Sequence, residues 1–213
     1  MLLKSCICTF LFLFILSPGD ESWVERKTKN NISVYTRSVF TSDYKEIKIT
    51  TKVKASLTSI VKALCDVEHY TDWIYNCYSA TTLKKTSDTD IITYQMLKVP
   101  WPVSDRDVVS HFRIKQDNKT KIVILTSDIV QGLIAEKDGI VRVKDFHSKY
   151  ILTPQNDGFV DINYEMGTNP GGIVPAWLVN LVIVNAPYST QEKLNKLIQN
   201  PRYKTGSLSF IVD

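Results

Sequence analysis

Three groupings along this 213-residue chain have side chains that could do chemistry. Ser59-Ile60-Val61-Lys62 has the S-x-x-K spacing of a serine nucleophile with a lysine nearby, and Lys204-Thr205-Gly206 matches the K-T-G of serine penicillin-binding enzymes. Their third element, S-D-N, is absent, and Ile60 and Val61 already belong to the apolar stripe of a helix. Cys65 and His69 stand four apart, a spacing that on a helix can pair a thiolate with a base or ligate a metal. Zinc takes three or four ligands, and no further Cys or His is placed to complete a set. Arg106-Asp107 reads as a tie between a loop and the strand after it rather than as a ligand contact. His111 and His147 stand alone on strands, as surface or hydrogen-bonded core residues. These groupings support no catalytic residue, no metal and no cofactor, so the expectation is a protein that is not an enzyme.

The elements that position these residues belong to one domain. The chain is 44% hydrophobic and 23% charged, and its net charge of +4 is too small to argue for nucleic acid. Lys48, Lys52 and Lys54 alternate with apolar residues and read as the wet face of a strand, compatible with weak, transient contact with anionic membranes. Residues 1–19 carry one charge, Lys4, then an apolar run from Cys6 to Leu16, then Ser17-Pro18-Gly19. That is the pattern of a signal peptide cut after Gly19, too short to span a bilayer. The expectation is a mature domain of residues 20–213, exported to the periplasm or the extracellular space and monomeric. Cys65 and Cys77 remain, either as a disulfide in an oxidising compartment or as buried thiols.

Period-two alternation dominates the rest. Tyr44–Ala55 puts Ile47, Ile49, Val53 and Ala55 on one face, and Phe159–Met166 does so with Val160, Ile162, Tyr164 and Met166. Further strands are expected at Ile32–Val39, Tyr78–Lys85, Ile91–Val99, Val108–Lys115, Lys121–Ser127, Ile140–Asp145 and Lys149–Thr153. Leu57, Ile60, Val61 and Leu64 follow a helical stripe behind Ser56 as N-cap, and Glu68–Tyr75 continues it. A long C-terminal helix starts at Pro175 and runs to Gln199, with Pro187 expected to kink or break it. The order predicts an α+β fold: a curved antiparallel sheet wrapped around the C-terminal helix, enclosing an apolar cavity.

Val99-Pro100-Trp101-Pro102-Val103-Ser104-Asp105-Arg106-Asp107-Val108-Val109 resembles the aromatic–proline loop and Arg-Asp pair of START (steroidogenic acute regulatory protein-related lipid transfer) domains. Asn169-Pro170-Gly171-Gly172-Ile173-Val174-Pro175-Ala176-Trp177-Leu178-Val179-Asn180 resembles the approach to that family's C-terminal lid helix, and Asp66 with Trp73 its helical insert. The resemblance runs from about Trp23 to Leu197. It implies a helix-grip fold holding one lipid or sterol-like molecule. The strand residues it assigns to the cavity are Thr93, Gln95, Ser110, Phe112, Ile162 and Tyr164. From the helix it assigns Trp177, Asn180, Leu181 and Val184, and Pro100, Trp101 and Pro102 form a gate with that helix. Gln95 and Phe112 fall where lipid-binding relatives carry an acidic residue and an arginine, so a neutral pocket is expected, with Gln95, Ser110 and Asn180 as its polar groups. The alternatives are an aromatase/cyclase-like enzyme of the same superfamily and a ligand-sensing module that binds a protein partner.

Overall fold

The computed structural model describes residues 22–40, 42–172, 174 and 176–213, without the side chains of Asp43, Ala176, Trp177, Asn180 and Leu181. The expected signal peptide and the cut after Gly19 lie outside the described residues, as does Pro175. Ten strands form one sheet: β1 Val24–Lys29, β2 Ile32–Val39, β3 Ser42–Lys54, β4 Cys77–Ser87, β5 Asp90–Leu97, β6 Asp105–Gln116, β7 Val123–Ile129, β8 Ile140–Arg142, β9 Asp145–Pro154 and β10 Phe159–Asn169. Their order is β1-β2-β3-β10-β9-β7-β6-β5-β4, antiparallel throughout, with β8 added parallel to the start of β6.

Alternation fixes which face turns inward. Ile47, Ile49 and Val53 of β3 are buried, as are Val160 and Ile162 of β10, while Lys52 and Lys54 are exposed. In register, Val160 pairs with Val53 and Ile162 with Thr51, so the apolar rows of neighbouring strands coincide. β1 escapes the sequence reading because it is a charged, mostly exposed edge strand with no apolar alternation. Asn30 and Asn31, both at positive φ, turn it into β2.

Helices close the inner face. α1 (Leu57–Cys65) is capped by Ser56, whose hydroxyl accepts from the Ser59 amide at 3.1 Å. A 3-10 turn (Val67–His69) and α2 (Tyr70–Trp73) follow it. α3 (Ala176–Leu197) crosses the sheet, and α4 (Pro201–Lys204) ends the fold. Pro187 does not break α3: the helix is continuous through it, at the loss of one backbone hydrogen bond. Near its C-terminal end, Leu194 and, just beyond it, Ile198 pack with α1 and the inner rows of the sheet into the main core.

The outer face carries a buried ionic cluster. Asp107 accepts from Arg142 Nε at 2.7 Å and Nη2 at 3.0 Å, and from the Tyr94 hydroxyl at 2.9 Å. Arg142 also donates to the carbonyls of Ile134 and Ala135, so the cluster pins the 131–139 loop to the sheet. Burial pushes the Asp107 carboxyl up, but the Arg142 and Tyr94 hydrogen bonds outweigh it and hold the group below the usual carboxylate range. Asp107→Asn, which strands the Arg142 charge, should cost roughly 3–5 kcal/mol in urea unfolding, and replacing both residues by apolar ones should cost less. A lowered folded-state pKa makes this contribution complete above the unfolded value of about 4 and lost as pH falls below it. The gap between wild type and Asp107→Asn should therefore narrow in acid titrations.

Candidate functional site

A cavity of about 710 Å³ lies between the inner face of the sheet and the first half of α3. Leu64 and Trp73 from the α1–α2 segment, with Phe112, Leu125 and Tyr150 from the sheet, line its deep part. Leu178, Val179, Val182 and Ile183 of α3 cover it, and Ile47, Ile49 and Met166 form a side wall. Tyr44 and Lys45 near the β2–β3 turn, Val99 and Pro100 after β5, and Pro170 and Val174 before α3 surround the outer end. Tyr150 and Tyr164 stack with centroids 4.2 Å apart, and burial pushes the Tyr164 hydroxyl up to about 12 despite its hydrogen bond with Ser148. Both rings thus present neutral phenols at physiological pH.

Of the strand residues assigned to the cavity, Gln95, Phe112 and Tyr164 line it, as does Val184 of α3. Thr93, Ser110 and Ile162 share the inward face but lie off the lining. Thr93 and Ser110 have short side chains that bond each other at 3.1 Å, and Gln95 Nε2 donates to Thr93 at 3.3 Å over them. Ile162 is covered by the close-packed core around Leu194. In the gate, Pro100 lines the cavity, whereas Trp101 (89% exposed) and Pro102 project into solvent, beyond the point where β5 has ended. The side chains of Trp177, Asn180 and Leu181 lie outside the description. Arg113, one residue after Phe112, faces outward to pair with Asp128.

The neutral pocket is overturned. Arg106, 5% exposed, lines the cavity together with Arg26, Lys45 and Lys98. Arg106 and Asp107 are neighbours on a strand, so they point to opposite faces: Asp107 goes to the outer cluster and Arg106 inward. Starting β6 at Val108 hides this. Extended back to its observed start at Asp105, the same alternation puts Arg106 on the row of Val108 and Phe112.

The groupings that suggested chemistry are used structurally. Ser59 is buried with its hydroxyl 3.0 Å from that of Ser56, and Lys62 donates to the Thr205 carbonyl. Cys65 and Cys77 are free thiols, and burial pushes Cys65 up to about 12, which leaves no reactive thiolate. His69 Nδ1 lies 2.8 Å from Asp66 Oδ1, not on Cys65. Among the described residues no group of three His, Cys, Asp or Glu is placed to hold a metal.

This architecture has counterparts. A family profile for the START domain matches residues 17–203. An uncharacterised protein of Pseudomonas aeruginosa is 34% identical over 82% of this chain and 85% of its own. The phosphatidylcholine transfer protein of Mus musculus is 32% identical over 66% of each chain. A crystal structure of a STAR-related lipid transfer protein from Xanthomonas axonopodis superposes with a TM-score of 0.77 at 30% identity, covering 84% of this chain and 99% of that one. With its helix-grip fold and this match over nearly all its described length, the chain belongs to the START domain family.

Proposed function

We propose that the protein takes one lipid-like amphiphile into this cavity and carries it between membranes, with the first half of α3 and the β5–β6 loop as the gate. The observation that carries this reading is an apolar cavity under a helix that is unevenly anchored. From Asn185 onward α3 is tied by polar bonds: Lys27 to Asn185 at 3.2 Å, Thr190 to the Tyr75 amide at 3.0 Å, and Asn195 to Thr51 at 3.3 Å. Between Leu178 and Val184 its described side chains are all apolar. Pro187 sits at the boundary, where one helical hydrogen bond is already missing. Each CH₂ moved from water into the cavity contributes about 0.8 kcal/mol, so an acyl chain needs few polar contacts to bind. The Tyr150 and Tyr164 phenols stay protonated and the Gln95 amide is bonded within the wall, so the reading is binding without catalysis.

Phe40 (91% exposed) at the β2–β3 turn and Trp101 (89% exposed) stand on two of the segments that border the outer end of the cavity. Large exposed aromatics beside a lipid opening suit brief insertion at a membrane interface, where such rings are favoured. The leader at residues 1–19 makes this an exported carrier. A mature mass beginning near Asp20 is the expected result, and secreted protein that retains Met1 would refute export by cleavage.

Native mass spectrometry of protein purified from its own host should show one bound lipid per chain. Phe40→Ala with Trp101→Ala should slow lipid transfer between vesicles severalfold, leaving the bound-lipid stoichiometry unchanged; an unchanged rate removes these residues from membrane contact. The two ends of α3 should also separate energetically. Leu194→Ala, in the packed core, should cost roughly 2–5 kcal/mol in urea unfolding. Leu178→Ala, bordering a cavity, should cost less and weaken binding of a fluorescent fatty acid.

A further inference from the structure

The cavity is apolar over most of its wall, but its charge is one-sided. Four basic residues, Arg26, Lys45, Lys98 and Arg106, line it, and among the described lining residues there is no Asp or Glu. Lys98 is neutralised by Asp105 at 3.2 Å. For Arg26, Lys45 and Arg106 no carboxylate lies within 4.0 Å among the described residues.

Arg106 is the telling member. It is 5% exposed, yet its hydrogen bonds run to backbone carbonyls: Nε to Pro170 at 3.2 Å, Nη1 to Ser104 at 2.5 Å and Nη2 to Gly171 at 2.8 Å. Those three bonds fix the guanidinium and leave two of its five N–H donors over. They do not neutralise it. The other buried guanidinium on the same strand pair, Arg142, is met by Asp107, so this fold supplies a counter-ion where a buried charge is purely structural. Burial lowers the Arg106 pKa more than the nearby Asp105 charge raises it, and arginine nevertheless stays charged.

Tyr44 and Asp105 lie close enough to interact with the Arg106 charge, but the Asp105 carboxylate is paired with Lys98 at 3.2 Å, and Lys45 follows Tyr44 on β3. α3 begins shortly after Gly171 with no acidic residue in its first turn, so its partially positive end opens on the same region. Along β6, Arg106 lies six residues, roughly 20 Å, from the apolar floor at Phe112.

We infer that the cavity selects an amphiphile whose head group carries net negative charge, a phosphodiester or carboxylate without a compensating cation, bound at Arg106 with its tail toward Phe112. The inference rests on the lipid-carrier reading and narrows it. A zwitterionic head group would bring a cation into a lining that offers it no carboxylate.

The test uses the full mature chain and mixed vesicles of phosphatidylglycerol and phosphatidylcholine with identical acyl chains. After removal of the vesicles, the lipid carried by the protein is identified by native mass spectrometry. The expected result is enrichment of phosphatidylglycerol over its vesicle fraction by about tenfold, the size of one charge-assisted contact. Arg106→Gln should abolish most of that enrichment while phosphatidylcholine uptake persists, and Arg106→Lys should retain part of it. If Arg106→Gln fails to fold, Arg26→Gln with Lys45→Gln tests the same field and should reduce the enrichment. Carried lipid that simply mirrors the vesicle composition overturns the inference, even if the protein adsorbs to anionic vesicles, and leaves the carrier reading intact. Uptake of neither lipid overturns the carrier reading itself. Glycerol phosphate, which has the head group but no tail, should not bind in calorimetry; tight binding would make this a soluble-phosphate site and overturn the lipid assignment.

Discussion

The fold depends on keeping part of its own interior unfilled. A protein core normally closes to the density of an organic crystal, and a wall that faces a void forfeits dispersion contacts. Here one continuous inward row of side chains must serve two purposes. Around Leu194 and Ile198 the sheet, α1 and the end of α3 close completely, and Leu152, Val123 and Val160 are almost wholly buried there. Toward the start of α3 the same sheet stands off, and Tyr150, Tyr164 and Phe112 hold the space with rigid rings. The packed end carries the stability that lets the other end remain open.

That division explains the distribution of polar bonds on α3. Gln191 and Asn195 bond each other at 2.8 Å, Asn195 reaches Thr51, and Tyr188 meets Glu192 and Asn30. Among the described residues all of these lie beyond Pro187, and the Lys27–Asn185 bond lies just before it. A lid bonded this way along its whole length would have to break those bonds to admit a ligand. On the proposed gating, bonds gathered from Asn185 onward would give a fixed point about which the apolar stretch before it could move.

Much of this is legible in the sequence, because alternation and helical stripes are imposed by burial that spans whole elements. Ile47, Ile49, Val160 and Ile162 announce their strands, and the order of elements leads to a sheet gripping a helix. What the sequence conceals are facts that depend on where an element starts or how deep the void reaches. β1 has almost nothing apolar to alternate. Thr93 and Ser110 are placed on the right face, but parity cannot tell a lining residue from one sealed by its neighbour. Ile162 fails in the same way: its face is correct and its depth is not. Trp101 sits in the loop expected to gate the cavity, yet only its neighbour Pro100 reaches the wall.

Arg106-Asp107 shows how one boundary changes a chemical reading. Treated as a tie between loop and strand, the two charges offer nothing to a ligand. Treated as the opening residues of β6, they are separated by the sheet itself, and each must find its own partner. Asp107 finds Arg142 on the outside, where the bidentate pair fastens the 131–139 loop. Arg106 hydrogen-bonds carbonyl dipoles on the inside, which orient it without cancelling its charge, and the nearby Asp105 carboxylate is paired with Lys98. Leaving a guanidinium without a carboxylate against an apolar cavity costs the folded protein free energy unless a ligand restores the balance. The same strand that builds the wall thus builds a polarity into the cavity, cationic at Arg106 and apolar at Phe112, which is the basis for the tail-first orientation inferred above.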